Sequence, residues 1–178
     1  MDPVVTITIS LCMSVLFGVA ALHKARAIAG FRAAIDEYRL LPRRVSGLAA
    51  LGLMLVEMLA ALLVLVPGTR VSGFAVMAGL LFAYTAGISI NLYRGRRDID
   101  CGCNGPATRQ VLSGWLVLRN LLLLALVLTA LEPATDRALN WLDLLVVAMG
   151  VLVASGLYLG INQLLIQAPG MTRLRNTA

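Results

Sequence analysis

Five apolar stretches dominate this 178-residue chain: Pro3 to Leu22, Val45 to Val66, Val71 to Leu92, Val111 to Leu131 and Leu139 to Ile166. Each is long enough to cross a hydrocarbon core of about 30 Å, which takes roughly 20 apolar residues in a helix. Inside a bilayer only a helix or a closed barrel can satisfy its own backbone hydrogen bonds. The pattern therefore predicts an all-α integral membrane protein, a helical bundle of five transmembrane helices forming a single membrane domain over residues 1–178. Composition excludes the other classes. With 60% hydrophobic and 13% charged residues, the chain is far from the roughly 25% charged content of a soluble domain and further still from a disordered one. Three cysteines are too few for a disulfide scaffold. The first span has no basic residue ahead of its apolar run, which a secretory signal normally carries, and so reads as a retained helix.

The segments between the spans set connectivity and orientation. Pro67-Gly68 leaves only a few residues between the second and third spans, which makes those helices antiparallel neighbours. Glu132-Pro133 closes the fourth span, and Trp141 and Tyr158 are candidate interfacial anchors of the last. The net charge of +6 has a one-sided distribution. Twelve basic residues fall on one side, in the segments after the first and third spans and at the C-terminus, whereas Arg70 and Arg137 alone fall on the other. By the positive-inside rule the N-terminus is outside and the C-terminus cytoplasmic, and the basic excess is a topology signal with no nucleic-acid partner implied.

The loop at 93–110 carries the only paired thiols, Cys101 and Cys103, separated by Gly102 and followed by Gly105-Pro106. A bridge within Cys-x-Cys closes a very small ring, which glycine makes feasible, and a strained bridge is the oxidising, exchange-prone kind. Nearby Arg94, Arg96, Arg97 and Arg109 favour thiolate while Asp98 and Asp100 oppose it, so the sign of their combined effect is open. Three readings follow: redox exchange, a static staple, or part of a metal site. Two thiolates are an incomplete zinc or iron-sulfur site, and even with His23 as a third ligand no fourth presents itself, so no metal is expected. Cys12, near the middle of the first span, reads as a small buried hydrophobe, with a resolving thiol as the alternative.

Glu57 and Arg119 are ionisable groups within spans, which are expensive and face the bundle interior with a partner. Counted from the cytoplasmic ends, Glu57 lies about 18 Å and Arg119 about 12 Å deep. An arginine side chain can cover the difference, so an ion pair between them is expected, supported by Asn120 and Tyr84; the alternative is a snorkelling Arg119 and a protonated Glu57. His23 and Lys24 end the first span as a polar pair at the interface or beside the cysteine loop. In the connector 24–44, Ile28, Phe31, Ile35 and Tyr38 recur at spacings of three and four among basic and acidic residues, the mark of an amphipathic helix that lies in the headgroup layer or docks a partner, with Pro42 ending it.

These residues resemble a family. His23-Lys24 at the end of the first span, Tyr38-Arg-Leu-Leu-Pro42 before the second, Glu57 within it, and Asn91-Leu through Asp100-Cys-Gly-Cys103 after the third are similar to the methylamine-utilisation MauE family of the wider DoxX-like group. The similarity runs from about residue 10 to 131, and its most specific element is Asp-Cys-Gly-Cys-x-Gly. The resemblance implies a four-helix DoxX-like core plus a C-terminal helix in the bacterial cytoplasmic membrane. It also implies an accessory role in maturation, disulfide formation or export of a periplasmic enzyme subunit, the small subunit of methylamine dehydrogenase, with a membrane-tethered thioredoxin-like protein as companion. Cys101 and Cys103 are then the redox pair, with His23, Glu57, Arg119, Asp98 and Asp100 in support. The charge count puts that loop on the cytoplasmic side while the implied substrate lies outside, which is reconciled if the loop folds inward and passes reducing equivalents across. Alternatives are a scaffold subunit of a membrane or respiratory assembly with structural cysteines, and a protein coupling thiols to a membrane quinone. No cofactor motif is present, although His23, Glu57, Tyr84 and Arg119 together would suit a quinone pocket.

Overall fold

A computed structural model of the chain describes residues 1–96, 99, 112–132, 135 and 137–175, the last stretch with side chains to 164. The described residues form α1 (Pro3–Arg26), α2 (Ile28–Tyr38), α3 (Ser46–Leu63), a 3-10 turn at Pro67–Thr69, α4 (Arg70–Tyr93), α5 (Gly114–Thr129) and α6 (Trp141–Arg175), with no strand among them. Helices α1, α3, α4 and α6 are long and apolar enough to cross a membrane. The chain is thus an all-helical, multi-pass integral membrane protein. Helix α5 is apolar but has 16 residues, about 24 Å of helix and shorter than the expected stretch 111–131.

Local sequence accounts for the helix ends. Asp2 caps α1 by accepting from the backbone N–H of Val4 at 2.8 Å, with Pro3 in the first turn where its missing N–H costs nothing. Helix α1 runs on past Leu22 to Arg26 and breaks at Ala27, which leaves helical geometry before α2 begins. Helix α2 stops at Tyr38, ahead of Pro42, because Arg39 takes a left-handed conformation with φ of 50°. Its apolar stripe is used within the molecule: Phe31 and Ala34 are buried, Ile35 and Tyr38 half-buried, and α2 packs on α3 and α1.

The bundle is held by two strongly packed pairs, α1 with α3 and α4 with α5, joined through the tight α3–α4 hairpin. Its core is Ile9, Met13 and Phe17 of α1, Ala60 and Ala61 of α3, Phe74, Met77 and Leu81 of α4, and Val127 of α5. Small residues let the backbones approach, and lipid tails supply no hydrophobic drive between helices, so such packing and interhelical hydrogen bonds carry the association. Ser14 Oγ donates across to the Ala61 carbonyl at 2.8 Å. In the hairpin, Thr69 Oγ1 donates to the Leu63 carbonyl at 2.8 Å. Helix α6 sits on α1, where Gly150 faces Thr8, and only 6% of its spanning window is buried. Its start is tied to the N-terminus by Arg137, which reaches Asp143 at 3.0 Å and Asp2 at 3.4 Å. Asp143 first, then Asp2, hold the Arg137 guanidinium above its usual range.

Gly73 is the tightest point. A Cβ there would fall 2.7 Å from the Val64 backbone nitrogen, which cannot swing aside as a side chain would. Gly73→Ala is expected to destabilise the bundle by about 1–3 kcal/mol through overpacking. Gly79→Ala, on the same helix with nothing within 4 Å of the new methyl, leaves stability unchanged or slightly raised. Thermal melting of the two purified variants in detergent separates the cases.

Candidate functional site

The bundle interior contains one buried ion pair among the described residues, between Lys24 Nζ and Glu57 Oε1. Glu57 therefore does not pair with Arg119 as the sequence suggests. The reason is the length of α1: it continues past Leu22 to Arg26, so Lys24 is held in the last turn of the helix, where its direction is fixed by the helical repeat. Lys24 also falls on the inward face of α1, two turns beyond Phe17 and one beyond Ala21, both buried. Its side chain is 3% exposed and that of Glu57 is 2%.

Further contacts extend the network. Tyr84 of α4 donates its hydroxyl to the same Glu57 Oε1 at 2.6 Å, and Lys24 Nζ is 3.4 Å from that hydroxyl. The ammonium also lies 4.8 Å from the ring centre of Phe31 and 4.9 Å from that of Tyr84. Two aromatic faces and a carboxylate thus replace water around the cation. Helices α1, α2, α3 and α4 meet at this point. Glu57 Oε2 is buried and receives no hydrogen bond from any described residue.

Arg119 of α5 faces the same space from the other side. Its Nη1 donates to Asn162 Oδ1 of α6 at 3.1 Å, and its Nη2 is 3.5 Å from Asn120 Oδ1. His23, Lys24, Glu57, Tyr84, Arg119 and Asn162 line one cavity of about 260 Å³. The sequence-derived cluster of His23, Glu57, Tyr84 and Arg119 is thus brought together, although with Lys24 as the ionic partner. Asn162, which lines the cavity from α6, was not marked by sequence pattern, and Tyr158, expected as an interfacial anchor, lines the same cavity; an amide in the middle of an apolar span is the signal that would have found Asn162.

Cys101, Cys103, Asp98 and Asp100 lie outside the described residues. The two ends of their loop do not. Leu112 donates its backbone N–H to the Ile99 carbonyl at 3.1 Å, and both side chains are buried with Ile88 of α4 and Leu116 of α5, against which Tyr38 packs. A closed apolar neck therefore joins α4 to α5 at the base of the loop. Asn91, fully buried, braces it by donating to the Gly87 carbonyl at 3.1 Å and accepting from Arg96 at 3.3 Å. Ile88 is one helical turn beyond Tyr84 and Leu116 one turn before Arg119, so the neck stands directly over the polar cavity. Cys12 is half-buried and lines a separate apolar cavity.

Removing one partner of a buried ion pair strands the other charge. Glu57→Ala is accordingly expected to cost about 3–5 kcal/mol, and the exchange Lys24→Glu with Glu57→Lys to recover a substantial part of what either reversal alone loses. Exchanging Glu57 with Arg119 rescues nothing. Yield of monodisperse protein and its melting temperature report both outcomes.

Comparison with known proteins bears on the same region. The family described as methylamine utilisation protein MauE matches residues 2–133. The chain is 37% identical to methylamine utilization protein MauE of Paracoccus denitrificans over 142 residues, covering 78% of this chain and 76% of that protein. It is 32% identical to the protein of the same name from Paracoccus versutus over 160 residues, covering 89% and 84%. A third, from Methylophilus methylotrophus, is 34% identical over 123 residues, covering 68% and 65%. No solved structure matches. The stretch shared with the family takes in Lys24, Glu57, Tyr84, the neck and Arg119 alike, and on this extent of similarity the chain belongs to the MauE family.

Proposed function

We propose that the protein is an accessory membrane protein of methylamine utilisation that performs thiol-disulfide exchange through Cys101 and Cys103 in the maturation, disulfide formation or export of a periplasmic enzyme subunit, the small subunit of methylamine dehydrogenase. The observation that carries the reading is the apolar neck. The backbone bond between Leu112 and Ile99 ties together the two described ends of the segment whose sequence contains Cys-Gly-Cys, so a motif suited to exchange is anchored at both ends on packed helices.

The chemistry balances without an outside oxidant. A thiolate of the partner attacks one sulfur of the oxidised pair and forms a mixed disulfide, releasing the other sulfur as thiolate. The partner's second thiolate then attacks its own sulfur in that bond, and the partner leaves oxidised while Cys101 and Cys103 are left reduced. Two electrons and two protons move from partner to pair, and the reverse sequence returns them. A membrane-tethered thioredoxin-like protein is the natural companion for such an exchange. His23, Glu57 and Arg119, which line one polar cavity, are the supporting groups in this reading, and Asp98 and Asp100 precede the pair in sequence. In this reading α5 completes five spans in the cytoplasmic membrane, with the N-terminus outside, the C-terminus cytoplasmic and the loop opening to the cytoplasmic side.

A scaffold role with structural cysteines is the rival. Cys101→Ser and Cys103→Ser, singly or together, are expected to abolish maturation of the partner enzyme while the membrane protein accumulates normally. Full maturation in the double variant, with the partner still co-purifying, refutes the exchange chemistry and favours the scaffold. Membrane-impermeant thiol labelling is expected to modify Cys101 and Cys103 only in opened cells, and modification in intact cells overturns the orientation.

A further inference from the structure

Another cavity, of about 270 Å³, lies between α2, α3 and α4, and its surface is almost wholly apolar. Its inner wall includes Phe31 and Ala34 of α2 and Gly87 and Ile88 of α4, all of them buried. Leu40, Leu41 and Ala83 line the same space and are exposed. The side chain of Ala83 is a single methyl, so the cavity opens outward beside it. Lys24 borders the cavity too, but its ammonium is buried and committed to Glu57. Water finds few polar partners in such a recess, and in a bilayer hydrocarbon chain fills it instead.

The residues at the edge decide which lipid that chain belongs to. Leu40 and Leu41 stand between Arg39 and Pro42-Arg43-Arg44, at the end of the bundle where α2 passes into α3. This segment has a fixed course. The left-handed backbone of Arg39 turns the chain so that Leu40 meets Gly87 of α4. Val45 then donates its N–H to the Pro42 carbonyl at 2.9 Å, and Ser46 Oγ donates to the Arg43 carbonyl at 2.9 Å. The Arg32 guanidinium lies against Gly47 in the first turn of α3. Residues 26–45 hold five arginines against two acids, Asp36 and Glu37. Arg32, Arg39, Arg43 and Arg44 are all exposed, and the ion pairs among the described residues belong to Lys24 and Arg137. A basic cluster directly beyond a membrane span attracts anionic lipid heads, and the guanidinium fork matches a phosphate.

We infer that this recess binds one anionic phospholipid, with an acyl chain filling the cavity between α2, α3 and α4 and the phosphate held by Arg39, Arg43 and Arg44. Ala83 lies about 15 Å inside the end of α4 at Tyr93, so the chain runs along α4 from the headgroup level into the hydrocarbon. The site owes nothing to the cysteine segment and stands without the thiol chemistry proposed above. The bound chain packs α2 onto α3 and α4 and covers the ion pair from that side.

The test uses the full chain purified in dodecyl maltoside and native mass spectrometry with three probes: dioleoylphosphatidylglycerol, dioleoylphosphatidylcholine and glycerol 3-phosphate, which has the anionic phosphate and no chain. Phosphatidylglycerol is expected to bind as one preferred adduct about ten-fold or more tightly than phosphatidylcholine, as cations each acting several-fold on an anionic head would give. Glycerol 3-phosphate is expected not to bind at the same concentrations. Arg43→Gln combined with Arg44→Gln is expected to weaken phosphatidylglycerol about ten-fold and leave phosphatidylcholine unchanged. Ala83→Trp, which fills the recess from its open side, is expected to remove the preferred adduct, and Ala83→Leu shows the same direction where the tryptophan variant does not purify. Equal binding of the two lipids overturns the inference, as does phosphatidylglycerol binding that the arginine variant leaves intact. A ladder of equivalent phosphatidylglycerol adducts unaffected at Ala83 shows a basic surface with no chain pocket, and glycerol 3-phosphate binding as tightly as the lipid shows a phosphate site with no chain; either result overturns it too.

Discussion

The placement of Lys24 against Glu57 organises the rest of the bundle. Each charge alone is prohibitive in hydrocarbon, and each becomes tolerable only with the other at hand. The pairing sets α1 against α3 in both depth and rotation, since Lys24 lies at the end of α1 and Glu57 well inside α3. It also brings in α2 and α4, because Phe31 and Tyr84 must close over the ammonium for the cation to be dry. Four of the six helices therefore owe their relative positions to one carboxylate.

That arrangement leaves a particular kind of void. A bidentate use of Glu57 would have filled the interior with polar contacts, but Lys24 and Tyr84 converge on the same oxygen. The second oxygen is buried without a hydrogen bond from any described residue, and Arg119, which lines the neighbouring cavity, is bonded to the amides of Asn162 and Asn120. Packing elsewhere is ordinary for a membrane bundle: alanines at the crossing of α1 and α3, a serine bonded across it, and a glycine where α4 meets the end of α3.

Much of this was legible in the chain. Apolar runs mark the helices, Pro67-Gly68 marks the hairpin, and the intramembrane ionisable residues mark the interior. The partner of Glu57 was misread because hydropathy ends a span at the first polar residue, and His23-Lys24 looks like an end. The better guide was rotational: Ile9, Met13, Phe17, Ala21 and Lys24 fall on one stripe, so the lysine belongs with the core and not with the headgroups. Arg119 misled for the same reason in reverse, since depth along a helix says nothing about which neighbour its face meets. Helix α2 was visible as amphipathic, but amphipathicity cannot distinguish a membrane surface from the flank of the molecule's own bundle, and Phe31 and Ala34 chose the latter. The ends of α5 escaped because Leu112 is apolar yet serves the neck and not the span.

The closure between Ile99 and Leu112 separates two kinds of change during divergence. Because α4 and α5 are tied at that point, the two anchors themselves fix the register of those helices there. Length changes between two such anchors cost little in loop-closure entropy, so a connecting segment can vary more freely than the anchors that hold it. A single helical frame can in this way carry different connecting segments, with selection acting on the anchors and on what joins them by different rules.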